Sequence, residues 1–97
     1  MADWKNLQEA YCPRCKAAVQ YPASLTAEEK AAIAGENRAD RLEALRRWRA
    51  AYDLDLATAK GLGFHITREP GVCHRCKHQT SGQESFCSNC KSFNLDW

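Results

Sequence analysis

The stretch CHRCKHQTSGQESFCSNC, residues 73–90, decides the fold, because it holds two Cys-x-x-Cys pairs separated by ten residues. A third pair, CPRC, occupies residues 12–15. All six cysteines of the 97-residue chain are therefore paired at i, i+3, and a lysine follows each pair: Lys16, Lys77 and Lys91. A Cys-x-x-Cys loop is tight enough to bring two sulfurs to one ion. Two such loops supply the four thiolates of a tetrahedral site, with zinc–sulfur bonds of about 2.3 Å. Chance seldom pairs every cysteine of a chain at this spacing, which sets metal ligation above idle thiols or disulfides.

The rest of the composition agrees. A chain this short buries a modest fraction of its surface and commonly needs a staple. No apolar run approaches the roughly 20 residues of a membrane span. The opening MADWKNLQEAY is charged and lacks an apolar core, so no secretory signal and a cytoplasmic location are expected, where thiols stay reduced. The formal net charge of +2 counts thiols as neutral. A filled tetrathiolate zinc site adds +2 from metal and −4 from sulfur, which brings the protein near zero. That balance disfavours strong nonspecific nucleic-acid binding, which depends on neutralising many phosphates.

Three regions emerge. Residues 1–23 hold the N-terminal knuckle, 24–66 read as helical, and 67–97 form a cysteine-rich tail introduced by the turn-prone REPG at 68–71. Thr26 and Glu29 form a capping box. A short helix over 27–34 is expected, with Gly35 as its stop. Asn37 is placed to cap a second helix over roughly 38–52, whose apolar stripe is Leu42, Leu45, Trp48 and Tyr52. Asp53 or Asp55 then caps an element near Leu56 in which Ala59, Leu62 and Ile66 share a face. Gly61 and Gly63 leave a short helix followed by a strand FHIT as an equal reading. In the tail, SGQ at 81–83 suits a hairpin tip. SFNLDW at 92–97 alternates Phe93, Leu95 and Trp97 as a strand with one buried face. The expected fold is a small α+β metal-stabilised domain: two or three central helices plus a C-terminal β-hairpin carrying the cysteines.

Cys73, Cys76, Cys87 and Cys90, with a loop of hairpin length between the pairs, resemble a zinc ribbon and, more distantly, the rubredoxin knuckle pair. That resemblance implies one bound Zn²⁺ and says nothing specific of function. Iron-binding rubredoxin knuckles usually carry glycine after the second cysteine, where this chain has lysine each time. The segment LRRWRAAYDLDLATAKGL, 45–62, resembles the helical hairpin in the C-terminal domain of the bacterial ribosomal stalk protein, on Leu54, Leu56, Ala59 and Lys60. The resemblance implies two antiparallel helices; in that family the hairpin contacts translation factors.

Cys12 and Cys15 need two further ligands for a second zinc, and the chain has three histidines: His65, His74 and His78. A Cys₂His₂ site would tie the N-terminus to the tail. Alternatively the N-terminal pair joins one tail knuckle and leaves the other to the histidines, or it stays idle, redox-active or shared across a dimer. His65 is the favoured histidine ligand, His74 is expected to face solvent, and His78 is intermediate. A thioredoxin-like dithiol would need a βαβ context that the chain does not offer.

No P-loop, paired-carboxylate or His-x-Glu deaminase pattern is present. A closed four-ligand metal site leaves no position for substrate, so a noncatalytic role is expected. The leading expectation is a protein-interaction module. The alternative is a nucleic-acid-binding zinc ribbon associated with transcription or translation machinery. Candidate contacts are Arg14, Arg75, Lys77 and Lys91 around the knuckles, and Trp4, an anchor-type residue. The arginine-rich face of the second helix reads as solvated, with Glu43 paired to Arg47.

Overall fold

The computed structural model describes residues 4–97, and polar caps decide where its helices begin. Glu29 N donates to the Thr26 hydroxyl at 3.1 Å and Thr26 N to the Glu29 carboxylate at 3.0 Å. This capping box opens α1, Ala27–Ala39. The helix does not stop at Gly35. It continues because Asn37 is needed inside, where its side-chain amide donates to the Gly63 carbonyl at 3.1 Å. Asn37 is therefore a buried tie between helices, and Asp40 is the cap. Asp40 N closes α1 on the Glu36 carbonyl, and its carboxylate accepts Glu43 N to open α2, Arg41–Tyr52. Asp53 ends α2 in the left-handed region, and the Asp55 carboxylate, accepting Thr58 N at 2.7 Å, opens α3, Leu56–His65.

On α2 the buried residues are Ala44, Leu45 and Trp48. Leu42 is 76% exposed, against the expected stripe. A helix turns about 100° per residue, which places Leu42 roughly 100° from the centre of the face shared by Ala44, Leu45, Trp48 and Tyr52. On α3 the expected face forms, with Ala59, Leu62 and Ile66 buried. The helix runs through both glycines, and at Gly63 the missing side chain permits a close approach. A Cβ on Gly63 would lie 3.0 Å from Leu45 and 3.2 Å from Asn37, and one on Gly61 would lie 3.6 Å from the Ala18 carbonyl.

Every cysteine pair turns an antiparallel corner. Strands β1, Leu7–Cys12, and β2, Ala17–Pro22, pair with Cys12 opposite Ala17, so CPRC is their turn. Strands β3, Glu84–Phe86, and β4, Phe93–Leu95, pair with Phe86 opposite Phe93, so CSNC is theirs. CHRC is bracketed by the bridge between Val72 and Gln79. The expected hairpin tip at 81–83 is a bend leading into β3; the knuckles themselves are the tips.

One core joins the pieces: Val19 and Tyr21 from β2, Ile33, Trp48 and Leu62 from the helices, and Phe93, Leu95 and Trp97 from the tail. Thr67 N donates to the Leu95 carbonyl, carrying the chain from α3 onto β4. All three β4 residues are buried, since core covers one face and knuckle the other. Trp97 docks edge-on to Tyr21, with Lys30 Nζ 5.9 Å from its ring. Asp96 locks the tail: its carboxylate accepts from the Thr67 hydroxyl, Gly71 N and the Thr80 hydroxyl at 2.8–2.9 Å. Arg38 donates to the same Thr67. The described residues thus form a small α+β domain of three helices and two antiparallel hairpins with the cysteines gathered at the turns.

Candidate metal centres

The two tail knuckles share one backbone design. Lys77 N donates to the Cys73 carbonyl and Lys91 N to the Cys87 carbonyl; Cys73 N donates to the His78 carbonyl and Cys87 N to the Ser92 carbonyl. Closing so tight a turn puts the residue after the second cysteine in the left-handed region, with φ of 65° at Lys77 and 69° at Lys91. Lys16 repeats this at the N-terminal knuckle with φ of 54°. Glycine has no steric cost there, and lysine bears it.

This backbone brings Cys73, Cys76, Cys87 and Cys90 together, their sulfurs all within 4.8 Å of one another. Across the knuckles, Cys73 Sγ lies 3.7 Å from Cys90 Sγ and Cys76 Sγ 3.5 Å from Cys87 Sγ. A tetrahedron with metal–sulfur bonds of about 2.3 Å has sulfur–sulfur edges of about 3.8 Å. The separations thus match four ligands of one ion and exceed any disulfide bond. Arg75 N and Asn89 N, at equivalent places in their knuckles, each donate to sulfur at 3.4 Å, on Cys73 and Cys87. Such donors favour thiolate over thiol. The Cys76 thiol is pulled down to about 6, first by Asn89 and then by the His78 backbone. Burial pushes Cys73 up, but the Cys76 and Arg75 amides outweigh it and the net shift is downward. At Cys87 the Cys90 amide pulls down, but burial and the sulfurs of Cys76 and Cys73 prevail and raise it. Crowded sulfurs resist ionising together, and a divalent cation relieves that conflict.

A second group lies where β1, α3 and β4 meet. Cys12, Cys15 and His65 place one donor atom each within 4.8 Å of one another. His65 is the last residue of α3 and only 4% exposed. Its Nδ1 is 2.7 Å from the Gly61 carbonyl, so that nitrogen carries the proton. Its Nε2 is buried and has no partner among the described residues. Burial lowers the His65 pKa, against the opposing Gly61 bond, which keeps the ring a neutral donor. Phe93 N donates to Cys12 Sγ at 3.4 Å, an amide supplied by the tail strand to the N-terminal knuckle. Burial raises Cys12, but this bond and the Cys15 and Arg14 amides reverse the shift. Cys15 is raised by burial and by its neighbour Cys12, with Arg75 and Arg14 opposing.

His74 does not face solvent as its place in the knuckle led us to expect. It is half-buried, its ring 5.1 Å from that of His65, with Nε2 3.0 Å from the Phe93 carbonyl. Burial, then electrostatic coupling to the neighbouring His65 ring, push its pKa down to about 4. His78 is exposed and contributes its carbonyl to the knuckle.

Of the candidate contact residues, Arg14, Arg75, Lys77 and Lys91 are exposed, and Arg75 and Arg14 lie close enough to Cys15 to lower it. Trp4 is half-buried and stacks on Tyr52 at 4.0 Å between ring centroids. Glu43 pairs with Arg46 and Arg47, while Arg38 is spent on Thr67 and Arg41 covers Phe64. Sequence reasoning missed Asn94, whose Oδ1 accepts His74 N, and Asp96; the apolar alternation of SFNLDW drew attention to their neighbours.

No family model, curated protein or solved structure matches the chain. Among the described residues no helix is long and apolar enough to cross a membrane. What the site itself defines is a small α+β protein whose cysteine clusters are arranged to bind metal.

Proposed function

We propose that this chain is a noncatalytic zinc-binding module for protein–protein interaction, with zinc at Cys73, Cys76, Cys87 and Cys90 and a second zinc at Cys12, Cys15 and His65. The observation that carries the reading is the four-sulfur cluster with cross-knuckle spacings of 3.5 and 3.7 Å. All-thiolate tetrahedral sites select zinc or iron centres, and lysine after each pair favours zinc over a rubredoxin-type iron. A closed site of this kind shapes a surface and performs no chemistry. Exposed Tyr11 and Phe86 beside the knuckles, and the groove walled by Trp4, Tyr52 and Ile33, support contact with a protein.

A nucleic-acid partner is the second reading. It is favoured by the pocket beside Cys15, which Arg41, Arg68 and Arg75 line without a carboxylate among the described residues. Native mass spectrometry of the reduced, untagged chain should show two zinc ions; no bound metal overturns the module as a whole. Filter binding to RNA and DNA across salt separates the partners. The protein reading expects no retention at low salt, and retention that falls steeply with salt would replace it with the nucleic-acid reading.

A further inference from the structure

Cys12, Cys15 and His65 bring three donor atoms within 4.8 Å of one another, one short of a tetrahedral set. We propose that His74 is the fourth ligand, so that the N-terminal knuckle, the end of α3 and the first tail knuckle close on one ion as a Cys₂His₂ site. The inference rests on the second-metal reading given above and adds the ligand that turns an open site into a closed one.

The hydrogen bonds of the two rings carry the argument. The Gly61 carbonyl can only accept, so His65 keeps its proton on Nδ1 and its lone pair on Nε2. The Phe93 carbonyl can only accept, so His74 keeps its proton on Nε2 and its lone pair on Nδ1. Each imidazole thus has one nitrogen tied to a backbone carbonyl and the other without a hydrogen bond among the described residues. Outer-shell carbonyls orient histidine ligands in this way. The free nitrogen of His65 is buried and unpartnered among the described residues, a costly arrangement unless something binds it.

The two rings are also close neighbours. The centroids are 5.1 Å apart and the planes are inclined at 60°. Two imidazoles on one tetrahedral ion, with metal–nitrogen bonds of about 2.0–2.1 Å, hold their centroids about 5 Å apart. Phe93 joins the halves, its N–H on Cys12 Sγ and its carbonyl on His74 Nε2. Cys15 and His74 also wall one cavity of about 340 Å³. His74 lies outside the group of donors that are mutually within 4.8 Å, so capture of the ion requires its ring to turn inward.

With His74 bound, no position is left for water or an anion. The second centre then acts as a clasp: it fixes the β1–β2 hairpin and α3 to the first tail knuckle, whose Cys73 and Cys76 belong to the other centre. Two metals then share one knuckle loop, Cys73 and Cys76 holding one and His74 between them the other.

Cobalt titration of the full, metal-free chain tests this. The wild type should take two equivalents, each with the intense visible bands of a tetrahedral ion. His74→Ala should keep the first equivalent and bind the second at least about tenfold more weakly. The second site should then accept added imidazole, with return of the tetrahedral spectrum. His74→Cys should rescue tight binding with added sulfur-to-cobalt charge transfer. A second equivalent whose affinity and spectrum are unchanged in His74→Ala would show that water holds the fourth position, sinking the His74 assignment alone. A wild type that takes one equivalent sinks the second-metal reading itself. If His74→Ala does not fold, the ¹⁵N-labelled wild type loaded with ¹¹³Cd gives the answer. Scalar coupling between cadmium and His74 Nδ1 is expected, and coupling to His65 without His74 overturns the proposal.

Discussion

At the residue scale the lysine after each cysteine pair is the most informative position. Lys16, Lys77 and Lys91 all sit at positive φ, between 54° and 69°. A left-handed non-glycine residue costs roughly 1–2 kcal/mol, and glycine returns part of that through its freer unfolded state, about 0.5–1 kcal/mol. Lys77→Gly in the metal-loaded protein is therefore expected to raise stability by about 0.5 kcal/mol. Lys77→Val, β-branched, is expected to lower it by more than about 1 kcal/mol. Denaturant melts at fixed zinc concentration read both. The sequence showed the three lysines at a glance, yet their conformation was not legible, because lysine is not a residue that announces positive φ. His65 and His74 divide the same way. The place of His65 among apolar neighbours singles it out in the sequence, and the structure brings it within 4.8 Å of Cys12 and Cys15. The burial of His74 is not legible, because its knuckle position says nothing of the Phe93 carbonyl, nineteen residues on, against which its ring packs.

At the element scale, glycine must be judged by its surroundings. Gly35 and Gly63 both lie inside helices, although the sequence reads Gly35 as a helix stop and Gly63 as a helix weakener. A Cβ on Gly35 meets nothing within 4 Å, whereas one on Gly63 meets Leu45 Cδ2 at 3.0 Å, Asn37 Oδ1 at 3.2 Å and Trp48 at 3.4 Å. Gly35→Ala is expected to stabilise by about 0.5–1 kcal/mol, the helix-interior difference between the two residues. Gly63→Ala gains the same propensity but overpacks a buried contact, and a net loss of about 1–2 kcal/mol is expected. Thermal unfolding of the pair should move in opposite directions; a shared sign would discard the close α2–α3 approach. The cap Thr26 is legible because capping is local, whereas Asp53 and Asp55 read alike in the sequence and only the structure assigns the cap of α3 to Asp55. The end of α1 was not, because Asn37 answers to the Gly63 carbonyl across 26 residues of chain. Asp96 is the same lesson on the tail. Its carboxylate holds Thr67, Gly71 N and Thr80, so Asp96→Ala strands several part-buried polar groups. A loss of about 2–3 kcal/mol is expected in the same melts, with Asp96→Asn between alanine and wild type.

At the scale of the whole molecule, the question is how much of the fold depends on metal. Structural zinc contributes about 10–16 kcal/mol in zinc-finger peptides, comparable to the roughly 5–15 kcal/mol that stabilises a whole domain. The apolar core is not confined to the helices, since Phe93, Leu95 and Trp97 belong to it and stand within seven residues of Cys90. Loss of the four-sulfur centre frees the turn between β3 and β4, and with it the surface on which α3 and Tyr21 pack. Cys73→Ser is therefore expected to lower zinc content and far-ultraviolet helicity together, and chelation of the wild type should do the same. Acid should act likewise, because every sulfur must shed its proton to bind metal; retained zinc falls as pH falls, and stability falls with it. Zinc content and circular dichroism, followed on the same samples through chelator and pH, decide the matter. Helicity that survives complete zinc removal would mean that the helices and hairpins hold one another without the ion, and that the knuckles serve a surface and not the fold.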